Sequence, residues 1–168
     1  MLARRIRRAP AERKRQWAPT GTVLVTGGTG TLAPHLARWL ADRGAERIVL
    51  ISRRGGEAPG AAELIESLGG VAEAVACDVT DREALSGLID RLAAEGAAVR
   101  TVVHTAAVIE LAAIEATSLE AFDRVMHAKV GGARLLDELL GDDLDDFVLF
   151  SSTARHVGQR AARRVRRR

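Results

Sequence analysis

Tyrosine is absent from the 168 residues, and three phenylalanines and two tryptophans bring the aromatic share to only 3%, against 47% apolar residues. The core must therefore be aliphatic, built from Ala, Leu and Val, and no residue can serve as a phenolic acid. A single cysteine, Cys77, excludes an internal disulfide and fits a reducing compartment. Within a strand-like run it reads as a small buried hydrophobe without a function. No run approaches the roughly 18 apolar residues of a membrane span, and the arginine-rich start lacks the apolar stretch of a secretory signal. A soluble, cytoplasmic chain with no membrane partner and no metal is expected.

The length suits one domain with a hydrophobic core and falls short of a usual two-domain enzyme. The net charge of +3 conceals an asymmetry: seven of the 25 basic residues lie between Arg4 and Arg15 and seven more between Arg155 and Arg168. The body between them carries 11 basic and 21 acidic residues, a balance of about −10. An arginine-rich end can hold nucleic acid, but without interleaved aromatics or a recognisable module a nucleic-acid partner is not expected.

Residues 1–20, polar and basic with Pro10 and Pro19, read as a linker. The body then alternates short β-branched runs (Thr22–Thr26, Arg47–Ile51, Val71–Cys77, Val99–Thr105 and Asp146–Ser151) with helical stretches at 30–43, 58–69, 81–95 and 118–141. Leu32, Leu36, Trp39 and Leu40 follow helical spacing, as do Leu85, Leu88, Ile89 and Leu92, so each set predicts a face docked on a sheet. Five strands separated by helices predict an α/β fold of the Rossmann type. Its parallel sheet is doubly wound in the order 3-2-1-4-5, with the ligand crevice at the C-terminal ends of the strands.

Between the first strand and first helix lies Thr26-Gly27-Gly28-Thr29-Gly30-Thr31-Leu32-Ala33. Glycines permit a tight turn and a close backbone approach to a pyrophosphate, whose charge the free N–H groups of the helix start favour. Ala33 stands where a third glycine is often found. After the second strand, Ser52-Arg53-Arg54 replaces the acidic residue of an NAD site, and arginine there can pair with a 2′-phosphate, which points to NADPH. Asp78, after the third strand, can accept a hydrogen bond from an adenine amine.

Taken in order, Thr26–Ala33, Ser52-Arg53-Arg54, Cys77-Asp78-Val79, His104-Thr105-Ala106-Ala107-Val108, Lys129 and Phe150-Ser151-Ser152 resemble successive motifs of the ketoreductase domains of modular polyketide synthases. These are short-chain dehydrogenase/reductase folds. The resemblance runs from about Gly21 to Ala154, and the basic stretch before it is similar to the linker that precedes the catalytic half of those domains. It implies hydride transfer from NADPH to a β-keto group on an acyl chain tethered to an acyl carrier protein. The glycine turn would hold the pyrophosphate and the arginines the 2′-phosphate, while Val79 and the segment His104–Ala107 would line the cofactor. Ala107 departs from the family's usual glycine. Ser152 matches the serine that polarises the carbonyl, and Lys129, 23 residues earlier and one of only two lysines, matches the lysine that supports a catalytic tyrosine.

The family tyrosine, due about 13 residues after Ser152, has no counterpart, nor has the asparagine beyond it. From Arg155 onward the chain is arginine-rich and reads as a shifted frame: with GC-rich codons, a one-base shift after Ala154 would bring a tyrosine to that place. Neither His156, on the aberrant tail, nor His104, at a cofactor-facing strand end, readily replaces it. Three domains of sequence are thus expected: a linker over 1–20, an incomplete NADP(H)-binding domain over 21–154, and a tail over 155–168. The chain is expected to bind NADPH weakly without reducing a ketone, and to be poorly stable because Phe147, Val148, Leu149 and Phe150 lie on a strand left uncovered. A noncatalytic NADP-binding or interaction module with a working basic tail is the alternative. Ile109-Glu110-Leu111 stands where family members of one alcohol configuration carry Leu-Asp-Asp, so the resemblance favours the opposite configuration.

Overall fold

The structure, a computed structural model, describes residues 17–110 and 112–151. Ser152, the arginine-rich tail, Leu111 and most of the basic N-terminal stretch lie outside the described residues. Five strands, β1 (Thr22–Thr26), β2 (Arg47–Ser52), β3 (Ala72–Ala76), β4 (Val99–His104) and β5 (Asp146–Leu149), form one parallel sheet in the order β3-β2-β1-β4-β5. The order is the predicted one, and each strand ends within two residues of its expected limits. Unbroken burial of Thr22-Val23-Leu24-Val25-Thr26 marks β1 as a central strand covered on both faces.

Helices cover the sheet on both sides. On one face, α1 (Ala33–Asp42) and α2 (Ala61–Ser67) pack Ala37, Leu40 and Leu64 on Val23, Val25, Leu50 and Val103. On the other, α3 (Arg82–Ala94) and α5 (Gly132–Leu140) bring Leu85, Leu88, Leu92, Leu135 and Leu136 against Leu24, Val49 and Val102. Asp81 caps α3, its Oδ1 accepting from the N–H groups of Glu83 and Ala84 at 3.1 Å each.

Three expectations about helices need correction. α1 starts at Ala33 and not at 30, because residues 27–32 are held in turns and Pro34 is suited to the first helical turn, where no donor is needed. Its inner face is Ala33, Ala37 and Leu40, whose small residues let the helix lie close to the sheet; Leu32 and Trp39 are 50% and 41% exposed. Trp39 stacks on Trp17 instead, ring centroids 5.3 Å apart, and Arg43 lies over the Trp39 ring at 4.6 Å. Finally, the stretch 118–141 is not one regular helix. α4 (Leu119–Met126) runs into a π-helical turn, His127–Gly131, before α5.

Residues 17–20, assigned by sequence to the linker, are tied to the sheet. Trp17 Nε1 donates to Asp146 Oδ2 at 2.9 Å, Thr20 Oγ1 to Asp145 Oδ2 at 2.7 Å, and Arg43 Nη1 to the Trp17 carbonyl at 2.7 Å. At the opposite end of the chain, apolar surface is open. Leu119, Phe122, Met126 and Val130 form an exposed stripe along α4 and the π turn, and Val148 and Leu149 on β5, an edge strand among the described residues, are exposed together with Phe150 just after it. Phe147 is the exception on β5, partly buried against the core. Surface of this kind drives association. Light scattering should therefore show particle size growing with concentration, and Phe122→Glu together with Leu149→Glu should reduce it; a monodisperse monomer at high concentration would refute this.

Candidate functional site

The chain order turns back between β1 and β4, and the segments that follow β1, β2, β3 and β4 all emerge at the C-terminal edge of the sheet. That edge, at a topological switch point, is where open α/β sheets hold ligands. The glycine turn follows β1 directly. Gly27 takes φ +70°, a conformation costly for other residues. Gly28 has an ordinary φ but no room: a Cβ would lie 2.6 Å from Leu50 Cβ and 2.7 Å from its backbone carbons. Its N–H donates to the Ile51 carbonyl at 2.9 Å, which locks the turn to the end of β2.

Gly30 N–H donates back to Gly27 O at 2.8 Å, and Ala33 N–H to Gly30 O at 3.0 Å. No hydrogen bond among the described residues takes up the N–H groups of Thr29, Thr31 or Leu32, and no side chain caps α1. Three free donors at the positive end of a helix dipole make a cradle for an anion. Thr26 plays a different part. It is fully buried, accepting at Oγ1 from Ala106 N–H at 3.1 Å and at its carbonyl from Thr105 Oγ1 at 2.7 Å, so it anchors the loop after β4.

The turn after β2 is set by Ser52, whose Oγ accepts from Gly55 N–H at 3.0 Å, leaving Arg53 and Arg54 exposed. Arg53 is close enough to act electrostatically on Asp78. Burial raises the Asp78 pKa, but the N–H and hydroxyl of Thr80, both donating to Oδ1 at 2.9 and 2.8 Å, and the Arg53 charge outweigh it and hold the carboxyl below its ordinary value. Oδ2 has no hydrogen-bond partner among the described residues. Val79 is buried beside it. Burial pushes the Cys77 thiol up to about 11, with Asp81 and Asp78 adding to it, so Cys77 is the inert core residue expected.

After β4, Thr105 and Ala106 are half-buried and Ala107 is exposed. His104 is 2% exposed, and both ring nitrogens are engaged inside the fold: Nδ1 lies 2.7 Å from Thr26 Oγ1 and Nε2 2.9 Å from the Lys129 carbonyl. Lys129 itself is exposed on the π turn. The sequence signals gave His104 as a strand end facing the cofactor; what they missed is that its ring faces inward and joins β1 to the helix carrying Lys129. Burial lowers the pKa of the ring, the bond to the Lys129 carbonyl opposes this, and the Lys129 charge adds to the lowering.

A depressed histidine pKa means that the unfolded chain binds the proton better. The stabilisation is then complete above the ordinary value of about 6.5 and is lost as pH falls through the folded value. Thermal denaturation of the wild-type chain should show Tm falling as pH drops from about 7.5 to about 5.5, with a flatter profile for His104→Gln. Parallel profiles would mean that His104 is not the group responsible.

Among the described residues, no group of His, Cys, Asp and Glu could hold a metal ion, and no helix is long and apolar enough to cross a membrane. Two clefts flank the site. One, of about 100 Å³, is apolar and lies between the glycine turn and α2, lined by Thr29, Leu50, Pro59 and Leu64. The other, open and of about 250 Å³, lies beyond Thr80 between Arg82, His127 and Arg134.

Parallel sheet, glycine turn and switch-point edge together define a Rossmann-type domain. The family model described as "KR domain" matches residues 21–164, extending ten residues past Ala154. Polyketide synthase GfsA of Streptomyces halstedii is 51% identical over 159 residues, covering 92% of this chain and 2% of that protein. Erythronolide synthase EryA3 of Saccharopolyspora erythraea is 52% identical over 155 residues, covering 90% and 5%. Among solved structures, the ketoreductase PlmKR1 from the first module of phoslactomycin biosynthesis in Streptomyces sp. HK803 superposes with a TM-score of 0.82 at 59% identity, over 87% of this chain and 35% of that one. The chain belongs to the ketoreductase domains of modular polyketide synthases, and so to the short-chain dehydrogenase/reductases, oxidoreductases that use nicotinamide cofactors. It spans about a third of the length of PlmKR1 and a few per cent of the curated synthases.

Proposed function

We propose that this chain is an NADPH-binding portion of a β-ketoacyl reductase domain, able to seat the cofactor and not, with these 168 residues, to complete the reduction. The observation that carries this is the grouping, at one sheet edge, of three N–H groups on the glycine turn that have no partner among the described residues with Arg53 and Arg54 after β2. A pyrophosphate on Thr29, Thr31 and Leu32 would leave the 2′-phosphate of the adenosine to the two arginines, as charge-assisted bonds require. Asp78 Oδ2 is the acceptor for the adenine amine, and Thr105, Ala106 and Ala107 follow the strand nearest the nicotinamide end.

In the family reaction, bound NADPH supplies hydride to the β-carbon of a ketone on an acyl carrier protein-tethered chain. Lys129 and Ser152 would be the residues of this chain that serve it, Ser152 by donating a hydrogen bond to the ketone oxygen and Lys129 by its charge. No residue here supplies the tyrosine proton. One of the similar solved structures is described as an A1-type ketoreductase, 48% identical to this chain. With Ile109-Glu110-Leu111 in the place of the family's Leu-Asp-Asp, the same configuration type is the one proposed for the domain from which this sequence descends.

The test is a pair of fluorescence titrations with NADPH and NADH. The wild-type chain should prefer NADPH, and Arg53→Ala with Arg54→Ala should weaken NADPH binding by roughly 10- to 100-fold, from the loss of about 1.5–3 kcal/mol of charged hydrogen bonds, while NADH is little changed. Equal affinity of the wild-type chain for both would defeat the 2′-phosphate assignment.

A further inference from the structure

We infer that His104 is the positioning residue for Lys129: its buried imidazole, donating from Nε2 to the Lys129 carbonyl and accepting at Nδ1 from Thr26, fixes the turn from which the lysine side chain leaves the helix. This rests on the proposed role of Lys129 at the cofactor site.

The directions of the bonds follow from the partners. A carbonyl only accepts, so Nε2, 2.9 Å from Lys129 O, carries a hydrogen. Thr26 Oγ1 already accepts from Ala106 N–H at 3.1 Å, and its own hydrogen is free to go to Nδ1 at 2.7 Å. Adding a second proton would place a charge in a site 2% exposed, where no carboxylate bonds the ring and the nearby charge, Lys129, has the same sign. A single line of hydrogen bonds thus joins the loop after β4, the end of β1 just before the glycine turn, and the backbone at Lys129.

The helix at that point is not regular. Gly132 N–H donates to His127 O, five residues back, so the ladder widens into a π turn centred on Lys129. One extra residue in the ladder turns the preceding helix by about 100°. His104, through its bond to the Lys129 carbonyl, is the partner that reaches this turn from outside the helix. The helix comes close enough because Gly132 has no side chain: a Cβ there would lie 2.9 Å from Val79 Cγ1 and 3.2 Å from His104 Cε1. Without the ring, the turn loses its tie to β4 and is left to its own bond from Gly132 N–H to His127 O, and a return to the ordinary ladder would swing Lys129 to another face.

Glutamine and asparagine divide the two bonds of the ring. The amide nitrogen of glutamine reaches about as far as Nε2, and that of asparagine about as far as Nδ1, so His104→Gln keeps the donor for Lys129 O and His104→Asn does not. Lysines of the full chain are labelled by reductive ¹³C-methylation and followed by NMR, with Lys14 as internal reference. The Lys129 resonance should move in His104→Ala and His104→Asn and stay near its wild-type position in His104→Gln, with NADPH binding weakened in the same order. An unmoved Lys129 signal in a folded His104→Ala chain, or equal shifts in the Gln and Asn variants, overturns the inference. If the Ala and Asn variants do not fold, the wild-type imidazole ¹⁵N spectrum at pH 7 decides: His104 neutral with the proton on Nε2 supports it, and a proton on Nδ1 or on both nitrogens overturns it. A wild-type chain that shows the Lys129 pattern and binds no NADPH would remove the cofactor assignment and leave the tie standing; NADPH binding with an unmoved Lys129 would do the reverse.

Discussion

Gly28→Ala should lower the stability of the chain by about 3 kcal/mol and Tm by roughly 10 °C, and with it abolish NADPH binding. The added methyl would meet Leu50 at 2.6–2.7 Å, and two of the three nearest atoms are backbone of a central strand. Neither a rotamer change nor a side-chain shift can relieve that, so either β2 or the turn must move and the bond from Gly28 N–H to Ile51 O breaks. Against a typical stability of about 5–15 kcal/mol the loss is large. Gly30→Ala is the control. Its Cβ meets only Gly27 O, at 3.1 Å, and Gly30 is exposed, so the fold should tolerate it with a loss below about 1 kcal/mol. If both variants melt alike, Gly28 is not the closely packed contact described above.

The second large effect concerns the reaction. In an NADPH-dependent assay with a diketide thioester, the chain as it stands should show essentially no turnover. A version in which a one-base shift after Ala154 restores the family tyrosine and the sequence beyond it should be faster by about 10²–10⁴-fold, the usual contribution of one positioned acid. The same comparison examines the reading-frame interpretation of residues 155–168. A gene that runs cleanly through this region, with no tyrosine in a neighbouring frame, would remove it, and activity in the unaltered chain would show that another group supplies the proton.

Much of the scaffold was legible because its signals are local. Short apolar runs bounded by Gly, Asp and Ser mark all five strands, and the glycine turn declares itself by its place between β1 and α1. What escaped is what depends on the other side of a contact. Helical spacing grouped Trp39 with Leu36 and Leu40, but only the sheet determines that Ala33 and Ala37 face inward and that Trp39 is left to stack on Trp17. The π turn at His127–Gly131 has no periodic signature, since a single widened bond from Gly132 N–H to His127 O sets it, and its tie to His104 joins residues 25 positions apart. Thr26 and His104 were likewise legible as site positions by sequence, yet their side chains point into the fold and act on the loop after β4 and on Lys129. The site therefore divides into residues that offer groups outward, Thr29, Thr31, Leu32, Arg53, Arg54 and Asp78, and residues that hold those elements in place.

The central claim is that the outward N–H groups of the glycine turn hold a dinucleotide in a chain that lacks the tyrosine. Amide NMR of the ¹⁵N-labelled wild-type chain, titrated with NADPH, tests it most directly. The largest shifts should fall on Thr29, Thr31 and Leu32, with Arg53, Arg54 and Val79 next, and without NADPH consumption when a β-ketothioester is added. Shifts confined to other surfaces, with the amides of 29–32 unmoved at saturating NADPH, would contradict it.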